Sequence, residues 1–199
     1  MRGFRGSGRE SVFVINFGRH PAAEMCTFAK GYGRAASTLS RELLAREHVA
    51  DYDVYPAVFL FRHALELYLK GTLYLLGQLG GLEGHSDSVT VPNHHRLPPL
   101  TAEWTRKLGE LFPGDQELAG FTCAVTRTTS EFARLDRDSF SYRYPTDPKG
   151  NPSTPENQSV SLEAMFRVMS QILNSFEAID LMLRARLREA TDSRCALDR

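Results

Sequence analysis

The sequence predicts an all-α protein, an antiparallel up-and-down bundle of four to five helices, and three observations predict it. Apolar residues recur at three- and four-residue steps through most of the chain, which is the spacing of one helical face. No two alternating segments offer a strand pair. Glycine and proline interrupt the periodic stretches where helices would stop.

Residues 1–20 read as a flexible or partly extended leader, basic and glycine-rich, with a short apolar run at Val12 to Ile15 plus Phe17. That run is too short for a signal-peptide core and lacks a small-residue cleavage site. A single bundle domain over 21–190 and a tail over 191–199 follow. The first helix is expected from about Pro21 to Glu47, with Met25, Phe28, Tyr32, Ala35, Leu39 and Leu43 on one face. Pro21 suits a first turn, while Gly31 and Gly33 each weaken the middle by about 1 kcal/mol.

After the turn-like Asp51-Tyr52-Asp53, a second helix is expected to start near Pro56 and to stop at Gly80-Gly81. It is apolar nearly all round and so belongs at the centre of the bundle. A polar loop with His85, His94 and His95, closed by Pro98-Pro99, leads to a short helix from Thr101 to Leu111 that Pro113-Gly114 ends. A fourth helix runs from Gln116 to Arg137. An irregular connection through Tyr142-Arg143-Tyr144, Pro148, Pro152 and Pro155 precedes the fifth, from Ser161 to Glu189. Its apolar residues, Leu162, Met165, Met169, Ile172, Phe176, Ile179 and Leu183, lie close to heptad spacing.

A length of 199 residues fits one domain, and 42% hydrophobic with 24% charged residues is ordinary for a globular protein. Twenty-four basic residues balance 24 acidic ones. A global pull toward nucleic acid is therefore absent, and an anionic partner has to be met by a local cluster. Cys26, Cys123 and Cys195 are far apart, odd in number and free of any CxxC, which suits reduced thiols in a cytoplasmic protein. The stretch from Pro56 to Leu79 is long enough to cross a bilayer. Its Arg62, His63, Glu66 and Lys70 make a soluble core helix the better reading, since each charge at mid-bilayer costs about 2.5–3.5 kcal/mol.

Those four residues form one polar stripe, because Arg62, Glu66 and Lys70 follow at i, i+4 and i+8 with His63 beside them. Burying four ionisable groups is costly unless they pair or face water. Two arrangements satisfy this. Glu66 bridges Arg62 and Lys70 on an exposed edge, or the stripe lines a groove for phosphate or nucleotide, with Arg62 and Lys70 as anion contacts and His63 for proton transfer. Arg143 lies between Tyr142 and Tyr144, a combination that stacks on bases and contacts phosphate, or else stiffens a connector packed on the bundle. Arg127, Arg134 and Arg137 add a basic patch or a solvated helix face. His85, His94 and His95 lack a firm fourth ligand, so neither metal nor cofactor is expected. GxSxG, P-loop and HExxH signatures are absent.

The string Phe61-Arg-His-Ala-Leu-Glu-Leu-Tyr-Leu-Lys70, then His95-x-Leu97, then Phe140-Ser-Tyr-Arg-Tyr-Pro-Thr-Asp147, resembles the HEPN superfamily over about 51–187. These are small helical bundles of prokaryotic toxin–antitoxin and phage-defence systems. The resemblance implies a homodimer with a basic cleft at its interface. It also implies RNA or nucleotide binding and, in many members, metal-independent endoribonuclease activity from an Arg and a His four to six residues apart. On this chain it points to His63 and Arg143 as catalytic, with Arg62, Glu66, Lys70, His95 and Tyr144 binding the ligand. An antitoxin or defence-system partner protein is implied as well. Arg143 is followed by no histidine as far as Asp147, and the literal match to the spacing is Arg41-x6-His48. The alternative is a non-catalytic dimerising scaffold or sensor whose polar stripe is structural.

Overall fold

Five helices carry the fold in a computed structural model: α1 Met25–Leu44, α2 Asp51–Leu82, α3 Leu97–Leu111, α4 Gln116–Leu135 and α5 Leu162–Leu197. The structure describes residues 22, 24–84, 90–136, 141–146, 149–153 and 159–197. Among these there is no strand, and Thr146 and Pro152 form an isolated bridge. The expected extended run at Val12 to Phe17, His85, Arg137, Phe140 and Asp147 all lie outside the described residues.

Helix boundaries move where capping chemistry overrides composition. α2 begins at Asp51 and not near Pro56, so the supposed turn Asp51-Tyr52-Asp53 is its first turn. The Ala50 N–H donates to the Asp53 carboxylate at 3.3 Å, and the Asp53 N–H donates back to the Ala50 carbonyl at 2.9 Å. Carboxylates also suit the positive end of a helix. α3 begins at Leu97 and not Thr101, because Pro98 and Pro99 occupy its first turn, where an N–H has no intrahelical acceptor. α5 continues past Glu189 to Leu197, since no glycine or proline interrupts it.

The core forms around α2, as its all-round apolarity requires. Phe61, Leu65, Tyr68, Leu69, Leu76 and Leu79 are each at most 1% exposed. α1 packs antiparallel on α2, with Cys26 against Gly71 and Gly33 near Ala64. A Cβ on Gly71 would lie 2.6 Å from Cys26 Sγ and 3.0 Å from the Cys26 backbone nitrogen, so only glycine permits this approach. A Cβ on Gly33, a weak point for an isolated helix, would lie 2.8 Å from Leu173 Cδ1 of α5. An aromatic column joins the other helices. Tyr68 stacks on Phe176 at 5.3 Å, and Phe176 meets Trp104 at 5.3 Å and Phe121 at 5.1 Å.

Among the described residues no helix is long and apolar enough to cross a membrane. The charges of α2 explain that result and also anchor the return of the chain. His95 lies against Glu66, about 24 Å back along the helix axis from Leu82. α3 therefore starts beside the middle of α2.

Candidate functional site

Arg62, Glu66 and Lys70 point the same way because they are one helical turn apart, and the structure turns them inward. Arg62 is 0% exposed and Glu66 1%. The Glu66 carboxylate accepts from Arg62 Nη1 at 3.3 Å and from Lys70 Nζ at 2.9 Å. Of the two arrangements open to the stripe, mutual pairing is the one formed, but in the interior and not on an exposed edge. Arg62 gains further partners there. Its Nη2 donates to the His95 carbonyl at 2.8 Å, its Nε donates to the Asp136 carbonyl, and the Asp136 carboxylate lies 3.4 Å from that Nε. One guanidinium thus ties α2 to the loop before α3 and to the end of α4.

His95 is the side chain this network presents outward. Its Nδ1 lies 2.8 Å from Glu66 Oε1, while the side chain is 60% exposed. A carboxylate neighbour places the proton on Nδ1 and leaves Nε2 directed away from Glu66. Burial pushes the Glu66 carboxyl up, but the hydrogen bond and charge of Lys70, followed by those of His95, outweigh it and hold the group below its ordinary value. Burial likewise lowers Arg62 from its ordinary value, against the pull of Asp136 and Glu66.

His63 and Arg143 meet on Phe59. The His63 ring stacks on Phe59 with centroids 5.6 Å apart and planes 9° apart, and the Tyr32 ring of α1 lies nearly perpendicular to His63 with centroids 4.5 Å apart. The Arg143 guanidinium carbon lies 5.6 Å from the Phe59 centroid and 5.6 Å from that of Tyr144. Tyr144 is 53% exposed, and Tyr55 lies 6.0 Å from Tyr142 beside it. The connector that carries Arg143 is held in shape by Ser141, whose N–H donates to the Asp136 carboxylate at 3.1 Å and whose hydroxyl donates to the Ser153 carbonyl. Burial depresses His63 first, and Arg143, Arg62 and His95 lower it further against Glu66. These side chains therefore lie within electrostatic reach of one another.

The structure brings together all seven residues singled out in the sequence, in two tiers. Arg62, Glu66 and Lys70 form a buried support. His63, His95, Arg143 and Tyr144 lie outside it: His63 and Arg143 share Phe59, Tyr144 neighbours Arg143, and His95 stands on Glu66. Phe59 was legible as the residue one turn before His63, whereas nothing in the local sequence announces Asp136 or Tyr32. Arg41 folds back on Ser37 and Thr38, and His48 is exposed beyond the end of α1, so that pair takes no part. Among the described residues no three His, Cys, Asp or Glu side chains are grouped to hold a metal ion. Cys26 is buried, and that burial, followed by Asp180, raises its thiol and makes it a poor nucleophile.

The depressed groups give a pH dependence with a definite sign. For both His63 and Glu66 the unfolded chain binds protons more readily than the fold, so stability rises with pH through each transition. Their contribution is full above the unfolded histidine value near 6.5 and is lost stepwise below it. His63 acts first, and Glu66 acts below about 4.3. Urea midpoints measured from pH 7.5 down to 4 are expected to fall, with a shallower slope between 7.5 and 5.5 in His63→Phe. A flat profile in the wild type would contradict this.

The chain matches no protein-family model, no curated protein and no solved structure.

Proposed function

We propose that the chain is a HEPN-like protein that binds single-stranded RNA or a nucleotide on the face formed by Phe59, His63, His95, Arg143 and Tyr144. It would act as a homodimer in a toxin–antitoxin or phage-defence setting. The observation that carries this reading is the meeting of His63 and Arg143 on one aromatic ring, next to a half-exposed tyrosine. A cation interleaved with aromatic faces suits nucleic acid: the rings stack on bases and the guanidinium contacts phosphate. Arg62, Glu66 and Lys70 then act by positioning His95, not by touching ligand.

The test is fluorescence anisotropy with a labelled single-stranded RNA at low salt. Binding is expected to weaken as salt rises, and Arg143→Ala and Tyr144→Ala are each expected to weaken it about tenfold. Wild-type protein that binds neither RNA nor nucleotide would leave the buried network with a structural role alone.

The electrostatic reach of His63 to both Arg143 and His95 supports a second reading, metal-independent RNA cleavage. One imidazole takes the proton of a ribose 2′-hydroxyl, whose oxygen attacks the adjacent phosphorus. The bond from phosphorus to the 5′-oxygen breaks, and the other histidine, protonated, gives that oxygen its proton. Arg143 offsets the charge on the phosphoryl oxygens. The products are a 2′,3′-cyclic phosphate and a 5′-hydroxyl. RNA cut in the presence of a chelator by wild type, and intact with His63→Ala or His95→Ala, is the expected outcome. RNA intact with all three proteins would leave binding without chemistry.

A further inference from the structure

A second cleft lies on the far side of α2, between α1 and α5. Tyr68, one of its lining residues, is two residues beyond Glu66 and so about 200° round the helix from it. The cleft holds about 440 Å³, within the roughly 300–1,000 Å³ range of small-molecule sites. Every residue lining it belongs to α1, α2 or α5. Gly33 and Leu173, too close together for a Cβ on Gly33, are both among its lining residues.

The charges in this cleft are unbalanced. Lys30, Arg34 and Arg41 line it against one carboxylate, Glu177, which is paired with Lys30. Arg34 and Arg41 have no carboxylate partner among the described residues, and Arg34 is exposed. In a protein whose formal charge is zero, this is a local excess of two positive charges. The remaining polar lining is hydroxyl and amide: Ser37, Thr38, Ser170 and Asn174. Tyr68 is 1% exposed, lines the cleft, and its hydroxyl makes no hydrogen bond among the described residues. Burial, followed by the charge of Glu177, also keeps that hydroxyl protonated and able to donate.

We infer that the α1–α5 cleft binds a small phosphate monoester with a polyhydroxyl body, such as a sugar phosphate. The phosphate lies between Arg34 and Arg41 and an oxygen accepts from Tyr68. A phosphate monoester carries about −1.5 to −2 charge at pH 7, which matches the excess of two cations. The hydroxyl and amide groups around it complement a polyol. This site is separate from the Arg143 face and does not depend on the function proposed for that face.

The test is isothermal titration calorimetry of the full chain with ribose 5-phosphate, using ribose and inorganic phosphate as comparisons. Ribose 5-phosphate is expected to bind more tightly than inorganic phosphate, and ribose not at all. Arg34→Ala is expected to weaken binding by about tenfold or more. Tyr68→Phe is expected to weaken it several-fold without loss of helical circular dichroism, and Arg143→Ala to leave it unchanged. Lowering the pH below the second phosphate ionisation near 6 is expected to weaken it further. Absence of ribose 5-phosphate binding, an Arg34→Ala variant that binds like wild type, or binding lost in Arg143→Ala would each overturn the inference. Equal binding of inorganic phosphate would overturn the monoester assignment.

Discussion

Replacing Glu66 with alanine is expected to cost about 3–5 kcal/mol of stability, among the largest losses available to a single substitution here. The reason is asymmetry. Glu66 is the acceptor shared by Arg62, Lys70 and His95, and it is 1% exposed. Its removal leaves a fully buried guanidinium with Asp136 and the His95 carbonyl, and a nearly buried ammonium without its carboxylate. Removing Lys70 together with Glu66, as in Lys70→Met with Glu66→Leu, is expected to cost less than Glu66→Ala alone, since no ammonium is then left without its carboxylate and Arg62 keeps Asp136. Urea unfolding of the three proteins measures this. A Glu66→Ala loss below about 1 kcal/mol, the range of exposed ion pairs, would mean that water reaches and screens the network.

Trp104→Ala is expected to cost a comparable amount, about 3–5 kcal/mol. Trp104 is 0% exposed and contacts Phe121 of α4 and Phe176 of α5, so its loss opens a cavity where three helices meet. Its indole N–H has no hydrogen-bond partner among the described residues. Trp104→Phe therefore relieves an unsatisfied donor while losing volume, and is expected to retain most of the stability that alanine forfeits. If the phenylalanine variant were as unstable as the alanine variant, the indole N–H would have a partner such as a buried water. Thermal and urea unfolding with unchanged m-values would separate these outcomes.

The helical fold was readable because periodicity is a local property. Leu65, Leu69 and Leu76 recur on the buried side of α2 at helical steps, and Met169, Ile172, Phe176 and Ile179 do the same on α5. Helix ends were less readable, because a proline signals both a stop and a first turn. Pro98 and Pro99 looked like the close of a loop and lie in the first turn of α3. Pro56 looked like a start and lies inside α2. In each case the backbone partners in the flanking turn decide, and composition does not encode them.

The polar stripe shows the same division at the level of the site. Spacing alone put Arg62, Glu66 and Lys70 on one face and made their pairing foreseeable, because side chains one helical turn apart must meet. Whether that face looked into water or into protein depended on His95 arriving just before α3 and on Asp136 arriving from the end of α4. Those residues are 33 and 74 positions from Arg62, and no local pattern relates them. The convergence of His63 with Arg143 on Phe59, and the glycine contact at Gly71 that lets α1 approach α2, were likewise decided only in three dimensions. The amino-acid sequence by itself determined which faces are apolar and which side chains share a turn, since both follow from the repeat of a single helix. The tertiary structure decided which charges are buried and which rings meet, because desolvation and contact depend on what the rest of the chain brings to that face.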